Sequence, residues 1–219
     1  GDGMARVTEA HIDARTKSIL AAAERAFARK GYFGATMQDI ATEAGLSAGA
    51  IYHYFAGKEA IIEAIGDARS EDSRDIIAGI AREAGASLDA FAMLARAFFT
   101  QLQPRHGDRG CIDFELWSAA LRNDHVRDTI VRGAEAVIAP LTELLRQAQA
   151  NGDLAEDIDA EALARVLYGT FDGLTVQLAT GQPADVDRYV DALVAMFSGQ
   201  MWSSRKVTRR AAAPQRKAE

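Results

Sequence analysis

Apolar side chains recur at spacings of three and four along most of this chain. Between Ala14 and Lys30 the residues Ile19, Leu20, Ala23, Ala26 and Phe27 form one stripe, the pattern of an amphipathic helix. Arg29-Lys30-Gly31 predicts its stop, with cations at the negative end of the helix dipole and then a glycine. Thr36, with Asp39 three residues on, predicts the capped start of a second helix, which Gly45 ends; Ser47 caps a short third. Lys58 opens a longer helix through Ile61, Ile62 and Ile65 toward Ile80, broken at Gly85-Ala86-Ser87. Leu88–Leu102 follows as a helix, Gln103–Gly110 as a loop and Ile112–Leu121 as a short helix. Asp124–Ala150 is a long helix that Pro140 should kink or split. After a turn at Asn151–Leu154 come Asp159–Ala179 and Ala184–Met201, both apolar around much of their circumference. A helix of that kind is covered on several sides. Gly169 and Gly173, four apart, would let another helix approach, so a homodimer through the last two helices is expected.

The fold class expected is therefore all-α, with about nine helices. Composition agrees: 48% of residues are hydrophobic, prolines number four, and no long β-branched alternation occurs. Three parts are expected: residues 10–57, residues 58–202 and a basic tail at 203–219 with almost no apolar content, expected to be disordered. Gly1-Asp2-Gly3 ahead of Met4 reads as an artificial extension. No stretch approaches a membrane span and no apolar signal core opens the chain. One cysteine, Cys111, excludes an internal disulfide and suits a reducing cytoplasm.

Charge divides the same way. The net charge is −6. Residues 1–60 balance seven basic against seven acidic side chains, and 203–219 carry six basic and one acidic. The acidic excess thus falls on the middle of the chain and argues against a nucleic-acid surface there.

The chemistry-bearing stretch is Thr36 to Lys58, TMQDIATEAGLSAGAIYHYFAGK. Two helices joined by a tight glycine-containing turn make a helix-turn-helix, whose second member can enter a major groove. Leu46, Ile51 and Phe55 share a face and would pack on Ile40, leaving Ala48, Gly49, Tyr52 and His53 pointing away. Small residues at the start of that helix let it sit deep, with Gly49 bringing backbone to base edges and Ala48 and Ala50 reaching thymine methyls. Tyr52, His53 and Tyr54 would then reach phosphates on the groove walls. Thr36 and Met37 at the start of the second helix, Ser47 at the cap of the third and Lys58 at the start of the fourth complete the expected DNA-contacting set.

At these residues, and over about residues 14 to 65, the chain resembles TetR-type transcriptional repressors. The most specific element is Ser47 to Lys58, S-A-G-A-I-Y-H-Y-F-x-x-K. The resemblance implies an N-terminal three-helix DNA-binding domain and a C-terminal helical domain for ligand binding and dimerisation. It also implies a near-palindromic double-stranded DNA operator and release by a small-molecule effector. Cys111 to Ala120, CIDFELWSAA, resembles one common C-terminal subgroup. Many relatives carry a basic or polar residue where this chain has Ala48, and a polar one at Ala50. Specificity is therefore expected to rest on Tyr52, backbone contacts and DNA shape.

An apolar effector cavity is expected among Phe98, Phe114, Trp117, Tyr168 and Phe171, with Glu115 and Asp172 orienting the ligand. His106, Cys111 and His125 match no zinc spacing, so no metal and no cofactor are expected. Asp113 and Glu115, two apart on a helix, diverge and make no catalytic pair. The alternatives are an activator or constitutive repressor of the same fold, or, in another class, a small-molecule carrier or helical enzyme. No nucleophile–base constellation supports the enzyme, and a carrier leaves Ser47–Lys58 unexplained.

Overall fold

The computed structural model describes the backbone of residues 2–100, 106–183 and 185–199, and the side chains of 14–100, 113–183 and 185–199. Among them the secondary structure is entirely helical: α1 (Asp2–Gly34), α2 (Met37–Ala44), α3 (Ala48–Tyr54), α4 (Lys58–Ala84), α5 (Leu88–Thr100), α6 (His106–Ala120), α7 (Asp124–Ala150), α8 (Ala160–Ala179) and α9 (Val186–Phe197). The basic tail, and the 103–105 part of the expected loop, lie outside the described residues.

Two expectations need correction. Residues 106–110 are not loop but the first turn and a half of α6; one proline and two glycines in 103–110 suggested a breaker, yet Pro104 precedes the helix. Pro140 does not split α7, which runs unbroken from Asp124 to Ala150. The loss of one N–H is outweighed by the apolar face of α7, where Ile138, Leu141, Leu144 and Leu145 are all buried.

The caps follow from the local sequence. Thr36 Oγ1 accepts from the Asp39 N–H at 3.2 Å while the Thr36 N–H donates to Asp39 Oδ2 at 3.0 Å, the reciprocal capping box. Lys30 lies 2.7 Å from the same carboxylate, and these partners hold Asp39 down at about 2. Gly45 (φ 65°) closes α2, and Ser47 Oγ accepts from the Ala50 N–H at 3.1 Å to start α3.

Ile19, Phe27, Ile40, Ile51 and Ile61 form the centre of one core shared by α1 to α4, and all are shut off from solvent. That core does not end at α4: Leu116 and Ala119 of α6 and Val126 of α7 belong to it. A second core joins α4, α5, α7 and α8 around Ile77, Leu94 and Leu144, and a third joins α5, α8 and α9 around Phe99, Leu174 and Val190. α4 and α7 cross closely at Gly66, where an added Cβ would lie 2.9 Å from Thr129 Cγ2.

The break in α1 is the joint between the first core and α6. Gly31 sits at φ 73°, ψ 161°, a region open in practice to glycine alone. The turn exposes the Tyr32 N–H, which donates to Glu115 Oε2 of α6. On the other side Lys58 Nζ of α4 donates to Tyr32 O at 2.8 Å and to Phe33 O at 3.4 Å, and stands 5.0 Å over the Tyr32 ring centroid. Burial, and the Glu59 charge nearby, push the Tyr32 hydroxyl above its usual pKa. A side chain at residue 31 would meet the Glu115 carboxylate as well as the forbidden φ. Gly31→Ala is therefore expected to cost about 2 kcal/mol or more in urea unfolding, whereas Gly79→Ala, whose Cβ would meet open space inside α4, should be neutral or stabilising.

Candidate nucleic-acid interface and interior cavity

α3 divides into two faces. Ile51 is fully buried and Phe55 nearly so, against Ile40 and α1. Tyr52 is 54% exposed, Tyr54 36%, and His53 and Gly49 are also exposed. Ala48 and Ala50 are half-buried at the shoulder. His53 and Tyr54 meet edge to face, ring centroids 5.9 Å apart. The outward ridge of this short helix thus carries small residues first and rings later. Thr36 and Ser47 are exposed at the starts of α2 and α3.

Two of the ten residues expected to touch DNA are placed otherwise. Met37 is in the core, because the α2 stripe Met37, Ile40 and Ala41 turns inward at spacings of three and four. Lys58 holds its ammonium against the end of α1, where the unpaired carbonyls of Tyr32 and Phe33 draw it in. Three more cations of this part are likewise engaged. Arg25 and Arg29 reach Glu43 at 2.8 and 2.6 Å, holding its carboxyl below the usual range, and Lys30 holds Asp39. Charge-rich sequence there is spent on locking α1 to α2.

Below the helix-turn-helix lies a cavity of about 310 Å³. It reaches from Phe27 and Glu24 of α1, across α4, α6 and α7, to α8 and α9. Of the seven residues expected to form a pocket, Phe98, Trp117, Tyr168, Phe171 and Asp172 line it. Phe171 stacks on Phe99 (centroids 5.9 Å apart, planes 7° apart) and meets Phe98 edge-on. Phe114 and Glu115 do not line it: Phe114 packs on Trp117 from the outer side, and Glu115 turns to the Tyr32 N–H. On one helix, Asp113 and Trp117 point to the cavity while Glu115 points to the first core, as their spacing requires.

Arg69 of α4 was not anticipated. Its guanidinium reaches Glu24 of α1 at 2.8 Å and Asp113 of α6 at 3.3 Å at the cavity wall. The signal was present: Gly66, Ser70 and Ser73 form a stripe of small residues on α4 beside it, opening the space. Asp172 lines the cavity on α8 and, among the described residues, has no hydrogen bond or ion pair. Burial, and then the Asp113 charge, raise its acid to about 6. Tyr168, one turn earlier, is shifted upward by burial and by Asp172 and Asp113.

With this geometry in view, the comparisons are direct. Residues 19–65 match the family model of bacterial regulatory proteins of the tetR family, and residues 88–199 match that of the C-terminal part of BetI-type transcriptional repressors. The HTH-type transcriptional repressor Rv1474c of Mycobacterium tuberculosis is 33% identical over 184 residues, 82% of this chain and 90% of that protein. The fatty acid degradation regulator FadR of Bacillus halodurans superposes with a TM-score of 0.77 at 24% identity, covering 85% of this chain and 96% of its own. The transcriptional regulator FadR of Bacillus subtilis, solved in complex with stearoyl-CoA, gives 0.71 at 22% identity, covering 82% and 96%. The chain belongs to the TetR family. It is a helix-turn-helix, DNA-binding transcriptional regulator with a BetI-type C-terminal part.

The raised acid of Asp172 has a stability consequence. A carboxyl whose folded-state pKa lies above its unfolded value favours the fold while protonated, and that advantage is lost as pH rises from about 4 through about 6. Asp172→Asn should therefore stabilise the protein by about 1 kcal/mol above pH 7, a value discounted because the group is only half-buried. Thermal unfolding should show a gain of roughly 2–4 °C there, with the gap closing toward pH 4.

Proposed function

We propose that the chain is a repressor that binds a near-palindromic operator as a homodimer and leaves it when a small molecule occupies the cavity. One observation carries the DNA reading. The outward ridge of α3, with Gly49, Tyr52, His53 and Tyr54, is exposed while the opposite face is locked into the core by Ile51 and Phe55. That is a probe held rigidly for insertion, with backbone approach at its narrow end and hydroxyl and imidazole donors for phosphates at its wide end. Thr36 and Ser47 add hydroxyls and helix N-termini at the groove edge. Because Arg25, Arg29 and Lys30 are paired with carboxylates of α2 and Lys58 with the end of α1, these four neutralise few phosphates, so operator affinity falls shallowly with salt.

Dimerisation is supported by the outer face of α8 and α9. In the single chain Val166 is 61% exposed and Met196 53%. Val166, Gly169 and Gly173 share one face of α8, and a Cβ at either glycine would meet nothing within 4 Å. A large apolar stripe with room for a close helix suits a second copy of the same face. Residues 10–57 serve as the DNA-binding unit and 58–202 as the effector and dimer unit in this reading.

The effector reading rests on the cavity reaching both units. Glu24 and Phe27 of α1 share its wall with Tyr168 and Phe171 of α8. A ligand preferring one arrangement of α4 and α6 would shift the spacing of the two α3 helices by its difference in affinity between states. The stearoyl-CoA held by Bacillus subtilis FadR gives precedent in this fold for a small-molecule ligand.

Fluorescence anisotropy with DNA from upstream of its own gene should give saturable binding. Tyr52→Ala and His53→Ala should each weaken it roughly tenfold or more with unchanged thermal stability; unchanged affinity in both would refute the α3 assignment. Val166→Asp should convert the dimer to monomer by light scattering and abolish operator binding; a Val166→Asp protein that stays dimeric would refute the α8–α9 interface.

A further inference from the structure

The charge lining the cavity is lopsided. Among its described residues there are four carboxylates, Glu24, Asp72, Asp113 and Asp172, against the single guanidinium of Arg69. Arg69 is already committed to two of those carboxylates, Glu24 and Asp113. Its buried Nε alone has no hydrogen-bond partner among the described residues, so an anionic ligand head entering here would find that one donor and would still face Glu24, Asp113 and Asp172. Asp172 is in the opposite position: a half-buried carboxylate with no hydrogen bond or ion pair among the described residues, set on a wall of aromatic rings. Leaving it ionised and uncompensated in apolar surroundings is costly, and a cation beside it would recover that cost. The rings of Phe98, Phe99, Trp117 and Phe171 suit the same guest, since they accept both an apolar body and, over their faces, a weakly hydrated positive charge.

We propose that the cavity selects a lipophilic cation, an amphiphile with one ammonium-type head and an alkyl or aromatic body, with Asp172 as the counter-charge for the head and the ring cluster as the seat of the body. This rests on the effector reading and narrows it. It separates this chain from a regulator whose ligand is an acyl-CoA, whose several phosphates would meet, among the described lining residues, four carboxylates and one arginine with a single unpaired N–H. Asp113 adds to the field that attracts the head, and a head drawn toward Asp113 would loosen the Glu24–Arg69–Asp113 tie linking α1, α4 and α6.

The test uses three probes with similar straight-chain bodies and heads of different charge: decyltrimethylammonium, 1-decanol and decanoate, titrated into the full-length protein by calorimetry at pH 7.5 below their aggregation limits. The cation should bind about tenfold or more tightly than decanoate. Asp172→Asn, checked for an unchanged circular-dichroism spectrum, should bring the two within about threefold while leaving decanol binding as it was. Decanoate binding as tightly as the cation, or a cation preference that survives Asp172→Asn, overturns the proposal. Operator release followed in parallel distinguishes the two readings. If decanoate or decanol binds best and frees DNA, the effector reading stands and the cation inference falls. If the cation binds through Asp172 but DNA stays bound, the site stands and its role as an effector site falls.

Discussion

The hydrogen bond from the Tyr32 N–H to Glu115 organises the joint between the helix-turn-helix and the rest of the chain. It exists because Gly31 takes a conformation that breaks α1 one turn before its end and turns an amide outward. A carboxylate on α6 satisfies that amide, and a lysine at the start of α4 satisfies the carbonyl of the same residue. The backbone of a single residue, its N–H on one side and its C=O on the other, is thereby held by the two helices that also wall the cavity. Buried backbone groups must be paired, so neither α4 nor α6 can move far without re-pairing this unit or carrying α1 along.

Much of this was legible in the sequence, and the reasons are local. Capping signals at Thr36, Gly45 and Ser47 and the spacing of Leu46, Ile51 and Phe55 depend only on helix geometry, so the orientation of α3 could be worked out from residue numbers. What was not legible depends on contacts between distant segments. Lys58 looks like a phosphate ligand until the end of α1 is seen to offer it two carbonyls. Glu115 looks like a ligand-orienting group until the break at Gly31 presents it with an amide. Met37 stands at a helix start, where a surface role is natural, but its spacing to Ile40 and Ala41 places it inside. Within the aromatic set, sequence could not tell the inner face of α6 from the outer, and Phe114 and Trp117, three apart, fall on different sides of the cavity wall.

Electrostatics follows a common logic across the two ends of the molecule. Near the helix-turn-helix, Arg25, Arg29 and Lys30 are paired with carboxylates of α2 and lend rigidity more than reach. In the cavity, one arginine is shared by acids from two other helices, and a further acid is left over on α8. The first arrangement ties α1 to α2; the second leaves Asp172 without a counter-charge among the described residues, in an apolar room.

The division of labour along α6 bears on how such proteins can be recombined. Asp113, Leu116 and Trp117 form cavity wall, while Glu115 closes the joint at Tyr32 and Leu116 and Ala119 plug the first core. A chimaera cut at the start of α4 to give this chain a new operator would import a head whose own turn after α1 must find an acceptor on a helix it never co-evolved with. Swapping specificities between relatives therefore means transplanting a discontinuous unit, the first fifty-odd residues together with one strip of α6, rather than a contiguous block.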